Sequence, residues 1–208
     1  MGNLHVILDI DNTLVDSMNK NDYKKIKDLV REPDVYFPEA QMYIWKRPNL
    51  DEFLNYLNNN VRYISIWTNG TQGWMDFILK KIISPIIHKA KLEYLLSIDF
   101  STPIQIIREN MTSKIYVKEL KKLFRLNHSE ISFHNTILID DNYYNCWFNK
   151  NNSVPIKKFY IMNENKKKNK DLLFIIEILE TLKKSNDLTD TLSKVYSGIN
   201  NYNELFDN

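Results

Sequence analysis

The sequence is poor in cysteine, histidine and glycine, and each shortage excludes a class of protein or site. A single cysteine excludes a disulfide framework and a cysteine-rich zinc site. The four histidines are scattered without a metal-binding spacing, so a histidine-rich binuclear metal centre is excluded too. Four glycines are far too few for a collagen-like chain. The chemistry must therefore come from other side chains.

Long apolar segments are missing as well. No apolar run approaches the roughly 18 residues that a membrane-spanning helix needs. The chain starts on a strand-like run, with no basic stretch before it and no cleavage site after it, so no signal peptide is indicated. We therefore expect a soluble, intracellular protein, in the nucleus or the cytoplasm, with no membrane partner.

Charge and composition are those of an ordinary globular chain. The 208 residues carry 28 basic and 26 acidic side chains, and 43% of them are apolar. That apolar content is enough to bury a sizeable core in a single domain. The formal charge of +2 is too small to indicate nucleic acid as an obligatory partner.

Buried strand patterns alternate with helical patterns along the chain. Apolar runs predict strands at 4–10, 61–67, 95–100, 136–139 and 154–161, and helical periodicity predicts helices at 19–30, 50–57, 71–83, 115–124, 170–184 and 188–196. Because the first strand is apolar on both faces, we expect a parallel sheet that is covered on both sides. The sequence predicts an α/β fold, with a Rossmann-like, mainly parallel sheet flanked by helices.

The predicted elements form a single domain over 1–208. Two short aromatic strands at 34–45 belong to a small insert after the first strand, which we place at 16–46. The last segment, 185–208, is expected to be a peripheral helix or tail. No repeat and no linker divides the chain.

Polar side chains follow three of the predicted buried strands. In chain order these side chains are Asp9 and Asp11, Thr68 and Asn69, and Asp140 and Asp141. Any one such pair is typical of a turn or a helix cap, where these residue types are favoured. Three pairs at the carboxyl edge of one sheet predict a site instead, since ligands bind at that edge in open α/β sheets.

The acidic residues of this edge suit phosphoryl transfer. Of two carboxylates spaced like Asp9 and Asp11, one can attack phosphorus and form an aspartyl-phosphate. The other can protonate the leaving oxygen and later take a proton from water. Crowded carboxylates need a cation, and a hard ion such as Mg²⁺ fits oxygen ligands best. Asp140 and Asp141 would complete its site.

A phosphate dianion also needs hydrogen-bond donors and a positive charge. Thr68 and Asn69, with the backbone amides that open the next helix, are candidates for phosphate binding. Lys118 is the candidate cation, although composition alone does not distinguish it among the 28 basic residues.

Six segments in a fixed order carry a family signature. They are DIDNTLVDS from residue 9, KRPNLDEFL from 46, IWT from 66, YVKEL from 116, ILIDDN from 137 and NSVPI from 152. The first contains the DxDx(T/V) signature of the haloacid dehalogenase superfamily. Together the segments resemble the small C-terminal-domain phosphatases of that superfamily, the NLI-interacting-factor-like family.

This resemblance implies an activity and a set of site residues. It implies a Mg²⁺-dependent phosphatase acting on phosphoserine or phosphothreonine in proteins, as relatives act on the tail of RNA polymerase II. The implied roles are nucleophile for Asp9, general acid and base for Asp11, and phosphate stabilisation for Thr68 and Lys118. The implied metal ligands are Asp9, the backbone carbonyl of Asp11 and Asp141, with Asp140 in the second coordination shell or bound through water.

The resemblance also places a substrate groove at the insert. Family members bind a substrate proline in an aromatic pocket there, so Tyr43 and Trp45 are candidate groove residues. Packing of the insert onto the main domain explains these rings equally well. Arg108 is the third candidate of the groove. A small-molecule or nucleic-acid-end phosphatase with the same core, and a catalytically silent binding module, remain alternatives.

Overall fold

The computed structural model describes residues 4–108, 111–126, 130–163, 169–185 and 188–197. The strands are β1 (His5–Leu8), β2 (Val15–Asn19), β3 (Val35–Phe37), β4 (Met42–Lys46), β5 (Tyr63–Trp67), β6 (Leu92–Leu96), β7 (Thr102–Arg108), β8 (Met111–Val117), β9 (Thr136–Asp140) and β10 (Ser153–Pro155). The α-helices are α1 (Lys20–Ile26), α2 (Leu50–Asn60), α3 (Gln72–Ile78), α4 (Leu120–Leu123), α5 (Tyr143–Phe148), α6 (Asp171–Lys183) and α7 (Leu188–Ser197).

A five-stranded parallel sheet forms the centre of the fold, in the order β10–β9–β1–β5–β6. In the central strand β1, His5 lies opposite Tyr63 of β5 on one side and Thr136 of β9 on the other. All four residues of β1 are buried because both faces of the sheet are covered. The predicted α/β fold with a parallel sheet is confirmed.

Helices α2 and α6 pack one against the other and cover a large apolar core. Their buried side chains recur at helical spacing and belong to the same cluster as the sheet: Leu50, Phe53, Leu54 and Leu57 in α2, and Leu172, Ile175, Leu179 and Leu182 in α6. Leu188 and Leu192 of α7 join this cluster. Each fully buried Leu or Phe contributes about 1.5–3 kcal/mol. No helix in the described part of the chain is long and apolar enough to cross a membrane.

The insert after β1 is a three-stranded antiparallel sheet in the order β2–β4–β3, with α1 between β2 and β3. It is tied to the main domain through Asp16. The carboxylate of this residue accepts hydrogen bonds from the backbone N–H groups of Ser17, at 2.8 Å, and Ile161, at 2.7 Å. The predicted small insert after the first strand is confirmed.

The predicted helix at 115–124 is wrong. Ile115 and Val117 belong to β8, which forms an antiparallel hairpin with β7, and only Leu120–Leu123 are α-helical. Apolar residues at 117, 120 and 124 imitate the spacing of a helix face. The β-branched residues at this end of β8 fit a paired strand better, and pairing with the isoleucine-rich β7 decides the outcome. Lys118 therefore follows a strand and does not lie on a helix.

Candidate active site

Three parallel strands end at one cluster of polar side chains. Asp9 follows β1, Thr68 follows β5, and Asp140 is the last residue of β9. All three side chains are buried. The strands run side by side in the same direction, so their carboxyl ends bring together residues that lie far apart in the sequence.

Lys118 lies buried between two carboxylates of this cluster. Its Nζ contacts Oδ1 of Asp9 and donates a hydrogen bond to Oδ2 of Asp140 at 2.7 Å. The backbone N–H of Lys118 donates to Oδ1 of Asn145 at 3.0 Å, which fixes the end of β8. Burial alone lowers the pKa of Lys118, but the charges of Asp140 and Asp9 outweigh it and raise the pKa above its ordinary value. This lysine is therefore held in its charged form.

Three carboxyl groups crowd together beside Lys118. Oxygens of Asp9, Asp140 and Asp141 all lie within 4.8 Å of one another. Burial, followed by repulsion from the neighbouring carboxylates, raises the pKa of Asp141 above its ordinary value. The pKa values of Asp9 and Asp140 are also raised, chiefly by burial, with Lys118 opposing the rise. Buried carboxylates that repel one another are suited to binding a divalent cation, and an all-oxygen donor set fits Mg²⁺.

Asp11 lies beside this cluster and is held by Thr68. Oγ1 of Thr68 donates to Oδ2 of Asp11 at 3.0 Å, and the backbone N–H of Gly70 donates to Oγ1 of Thr68 at 2.8 Å. Burial raises the pKa of Asp11, while Thr68, Lys118 and the indole of Trp74 partly oppose the rise. A raised pKa suits a carboxyl group that has to carry a proton near neutral pH.

Comparison with known proteins identifies the family. The NLI interacting factor-like phosphatase family matches residues 4–189. The chain belongs to this family, within the haloacid dehalogenase superfamily. It is also 27% identical, over 184 residues, to the CTD phosphatase-like protein 355R of Invertebrate iridescent virus 3, a match that covers 86% of this chain and 96% of the viral protein.

Solved structures show the same fold. Fcp1, an essential RNA polymerase II CTD phosphatase, matches with a TM-score of 0.50 and 18% identity over 94% of this chain and 53% of the other. Fission yeast Fcp1-R271A bound to beryllium fluoride gives the same TM-score and identity over 97% of this chain and 64% of the other. This phosphatase-family chain thus spans about half to two thirds of those structures.

Two site residues of this family member were not singled out by the sequence reasoning. Oγ1 of Thr13 donates to Oδ1 of Asp141 at 2.9 Å and accepts the backbone N–H of Asp141 at 3.1 Å. Arg47, itself buried, donates to the carbonyl of Thr13 at 2.9 Å, to the carbonyl of Lys157, and to Oδ2 of Asp171 at 3.3 Å. Thr13 lies in the DIDNT segment and Arg47 in the KRP segment, and membership of these family segments is the sequence feature that could have pointed to both residues.

Asn69 lies at the predicted edge, but its side chain is used for structure. Its Nδ2 donates to the backbone carbonyl of Tyr116 at 2.9 Å, and its Oδ1 accepts from Oγ of Ser101 at 2.7 Å. These contacts hold the end of β8 from which Lys118 projects. They do not support the prediction that the Asn69 side chain binds phosphate.

Trp45 does not line an open groove. Its ring is fully buried against Phe159 and Ile161, and its Nε1 donates to the backbone carbonyl of Arg31 at 2.9 Å. The groove prediction for Trp45 is therefore wrong, because the ring closes the core beneath the insert sheet. This agrees with the packing alternative that the sequence left open.

The other two groove candidates are less enclosed. Tyr43 is half-buried, and its ring centroid lies 4.2 Å from that of Tyr23 and 4.7 Å from that of Tyr36. Arg108 is the last residue of β7, and its side chain lies outside the described part of the structure. The structure does not bring Tyr43 into contact with the acidic cluster.

Proposed function

We propose that this protein is a Mg²⁺-dependent phosphatase that dephosphorylates serine or threonine in proteins through an aspartyl-phosphate on Asp9. The observation that carries the catalytic part is the position of Lys118 between Asp9 and Asp140, with Asp141 beside them. A buried cation in contact with a carboxylate nucleophile can bind the charge of an incoming phosphate and stabilise its transfer.

In the first half-reaction, an oxygen of Asp9 attacks phosphorus. The bond between phosphorus and the leaving oxygen breaks, and Asp11 gives its proton to that oxygen, so the alcohol leaves in neutral form. Lys118 stabilises the negative charge on the transferred group, and Thr68 donates a hydrogen bond to it. Asp9 now carries the phosphoryl group, and Asp11 is a carboxylate.

In the second half-reaction, water releases the phosphate. The carboxylate of Asp11 takes a proton from a water molecule while the water oxygen bonds to phosphorus. The bond between phosphorus and Asp9 breaks, inorganic phosphate leaves, and both carboxyl groups return to their starting states. The same residue thus acts first as acid and then as base, and atoms and protons balance over the cycle.

The carboxylates of Asp9 and Asp141 and the backbone carbonyl of Asp11 would hold Mg²⁺. A bound Mg²⁺ supplies positive charge that neutralises the carboxylates and the phosphate oxygens. Asp140 has another task, because its Oδ2 accepts from Lys118 and from Nδ2 of Asn145 at 3.0 Å, and its Oδ1 accepts the backbone N–H of Asn142 at 2.8 Å. Its contacts favour the orientation of Lys118 over direct metal ligation.

Relatives and the insert support the protein-substrate part of the proposal. Protein 355R is CTD phosphatase-like by name, and Fcp1 is an RNA polymerase II CTD phosphatase. In this chain the half-buried ring of Phe37, in the insert, stacks on the half-buried ring of Trp74, which lies near Asp11, and the two rings offer an apolar wall near the catalytic acid. Such a wall suits the apolar neighbours of a phosphorylated residue in a peptide.

A substrate panel with Mg²⁺ tests this proposal. We expect a higher kcat/KM for Ser-Pro phosphopeptides than for nucleoside monophosphates or sugar phosphates, and turnover of an aryl phosphate that Asp9→Asn abolishes. Equal kcat/KM for phosphopeptide and nucleotide would favour the small-substrate phosphatase. A folded protein that turns over none of these compounds would be the silent binding module.

A further inference from the structure

The indole of Trp74 fills the space beside the turn that follows β5. A Cβ placed on Gly70 would lie only 2.5 Å from Cδ1 of Trp74 and 3.1 Å from Oγ1 of Thr68, so this turn has room for glycine alone. From the insert, Phe37 stacks on the indole with ring centroids 6.1 Å apart and an angle of 28° between the planes. The indole is therefore held in place between the insert and the turn that bears Thr68.

The N–H of this indole has no hydrogen-bond partner in the described part of the chain, although Nε1 is buried. Buried donors without a partner are rare in folded proteins and call for an explanation. The indole lies next to the hydroxyl of Thr68, which is itself bonded to Asp11, and it partly opposes the rise in the pKa of Asp11. An unused donor thus lies beside the residue that handles the proton in the proposed reaction.

Thr68 has too few protons for the two acceptors that it would serve. A hydroxyl group donates one hydrogen bond. In the structure Thr68 gives that bond to Oδ2 of Asp11 at 3.0 Å. When the proton of Thr68 turns to a phosphate oxygen, as the proposed function requires, Asp11 loses that hydrogen bond. The N–H of Trp74 is an unused buried donor that can replace it.

We propose that Trp74 is a positioning residue for Asp11, whose indole N–H donates to this carboxylate once substrate phosphate has taken the hydroxyl of Thr68. The proposal rests on the proposed function. Asp11 gives its proton to the leaving oxygen, and the carboxylate formed is held by Trp74 in position to deprotonate water. The indole keeps its own proton throughout.

The variant Trp74→Phe tests this role because it keeps an aromatic ring beside Gly70 and removes the N–H. The matched control is Trp147→Phe, which changes an exposed tryptophan on α5. The leaving group of a phosphoserine peptide is a strongly basic serine alkoxide that needs a proton, whereas nitrophenolate leaves readily without one. We expect kcat for a saturating phosphoserine peptide to fall roughly tenfold in Trp74→Phe, a part of the 10²–10⁴ that a general acid contributes, whereas the loss of a peptide contact with the ring would raise KM instead.

For nitrophenyl phosphate, kcat should change by less than about twofold in Trp74→Phe, since the acid matters little there. Equal losses on both substrates would mean that Trp74 only supports the fold, and would overturn the proposal. Trp147→Phe should match the unmodified enzyme on both substrates. If the unmodified enzyme hydrolyses neither substrate, the proposed function itself fails, and this inference with it.

A spectroscopic test needs no variant that reacts. The chain has four tryptophans, and the spectrum of Trp74→Phe identifies which indole N–H signal belongs to Trp74. Beryllium fluoride with Mg²⁺ mimics a phosphoryl group on Asp9. We expect it to move the Trp74 signal downfield, as a new hydrogen bond to a carboxylate does, and to leave it in place in Asp11→Ala. Binding of the mimic without a shift of that signal would overturn the inference while the proposed function stands.

Discussion

Lys118 and Asp140 form a buried ion pair, in which Nζ donates to Oδ2 at 2.7 Å. Lys118 comes from the end of the β7–β8 hairpin and Asp140 from the end of β9 in the parallel sheet. The pair therefore joins the hairpin to the catalytic edge, and Asp9 completes it from the other side. A lysine with two buried carboxylates around it serves both the fold and the proposed chemistry.

Replacement of this lysine should damage stability and activity together. Lys118→Met keeps the length of the side chain and leaves Asp9 and Asp140 buried without their cation. Removal of one partner of a buried ion pair costs about 3–5 kcal/mol of unfolding free energy. Urea unfolding should show that loss, and phosphatase activity should disappear. Lys121→Met, at an exposed position in α4, is the matched control and should stay within about 0.5 kcal/mol of the parent.

Asp11→Asn should separate the two half-reactions. An amide can neither protonate the leaving oxygen nor deprotonate water, so kcat on a phosphoserine peptide should fall by about 10²–10⁴. With an aryl phosphate the first half-reaction needs little acid, and the phosphoenzyme should accumulate. Rapid-quench measurements should then show a burst of phenol followed by slow turnover. Steady turnover at the parent rate would rule out Asp11 as acid and base.

The dependence on metal should follow Asp141. Asp141→Ala removes a carboxylate from the acidic cluster, so it should weaken Mg²⁺ binding and lower activity, with partial recovery at high Mg²⁺ concentration. Ca²⁺ should inhibit, because its larger and more flexible coordination places the phosphate poorly against Asp9. Activity measured against Mg²⁺ concentration checks this, with Asp28→Ala at an exposed site as control. Full activity in a chelator would contradict the metal site.

A pH effect is expected at the contact between α2 and α6. The hydroxyl of Tyr56 donates to Oε1 of Glu180 at 2.7 Å, and Lys183 donates to the same oxygen at 3.0 Å. The hydrogen bond from Tyr56 is the larger cause of the lowered pKa of Glu180. A folded-state pKa below the unfolded value of about 4.3 stabilises the protein above that pH, and the benefit is lost as pH falls through the folded pKa.

Tyr56→Phe should therefore raise the pKa of Glu180 toward its ordinary value. NMR titration of the Glu180 carboxyl group measures this shift directly. The stability difference between Tyr56→Phe and the parent should shrink as pH falls through the lowered pKa of Glu180 in the parent, below which Glu180 is protonated in both proteins. Tyr160→Phe, at an exposed tyrosine, should leave the titration unchanged. An unchanged pKa in Tyr56→Phe would assign the shift to Lys183 alone.

Local sequence patterns were enough to predict the parallel sheet and the edge of the sheet at which the acidic residues lie. The apolar run before Asp9 and the one before Asp140 are both buried central strands, because only helix-covered parallel strands bury both faces. The choice of Lys118 depended on the family resemblance, since its distance from the acids in the sequence carries no local signal. The β7–β8 hairpin was missed because strand pairing overrode a spacing that resembles a helix.

The burial and the contacts of individual side chains were harder to predict than the strands. Trp45 was expected in a groove, but the structure buries its ring. The alternating pattern of a strand does not show which of its two faces will pack against the rest of the protein. Trp45→Ala is therefore expected to unfold the insert rather than to test substrate binding. Arg47 donates to Lys157 and Asp171, which lie more than a hundred positions away, so its ties could not be read from neighbouring residues.

The covalent intermediate on Asp9 is the central claim, and chemical trapping tests it most directly. Borohydride reduces an aspartyl-phosphate to homoserine, which mass spectrometry locates in the sequence. Protein quenched during turnover of an aryl phosphate with Mg²⁺ should carry homoserine at position 9, and Asp9→Asn should carry none and show no turnover. Reduction at a different residue, or full turnover by Asp9→Asn, would contradict the account.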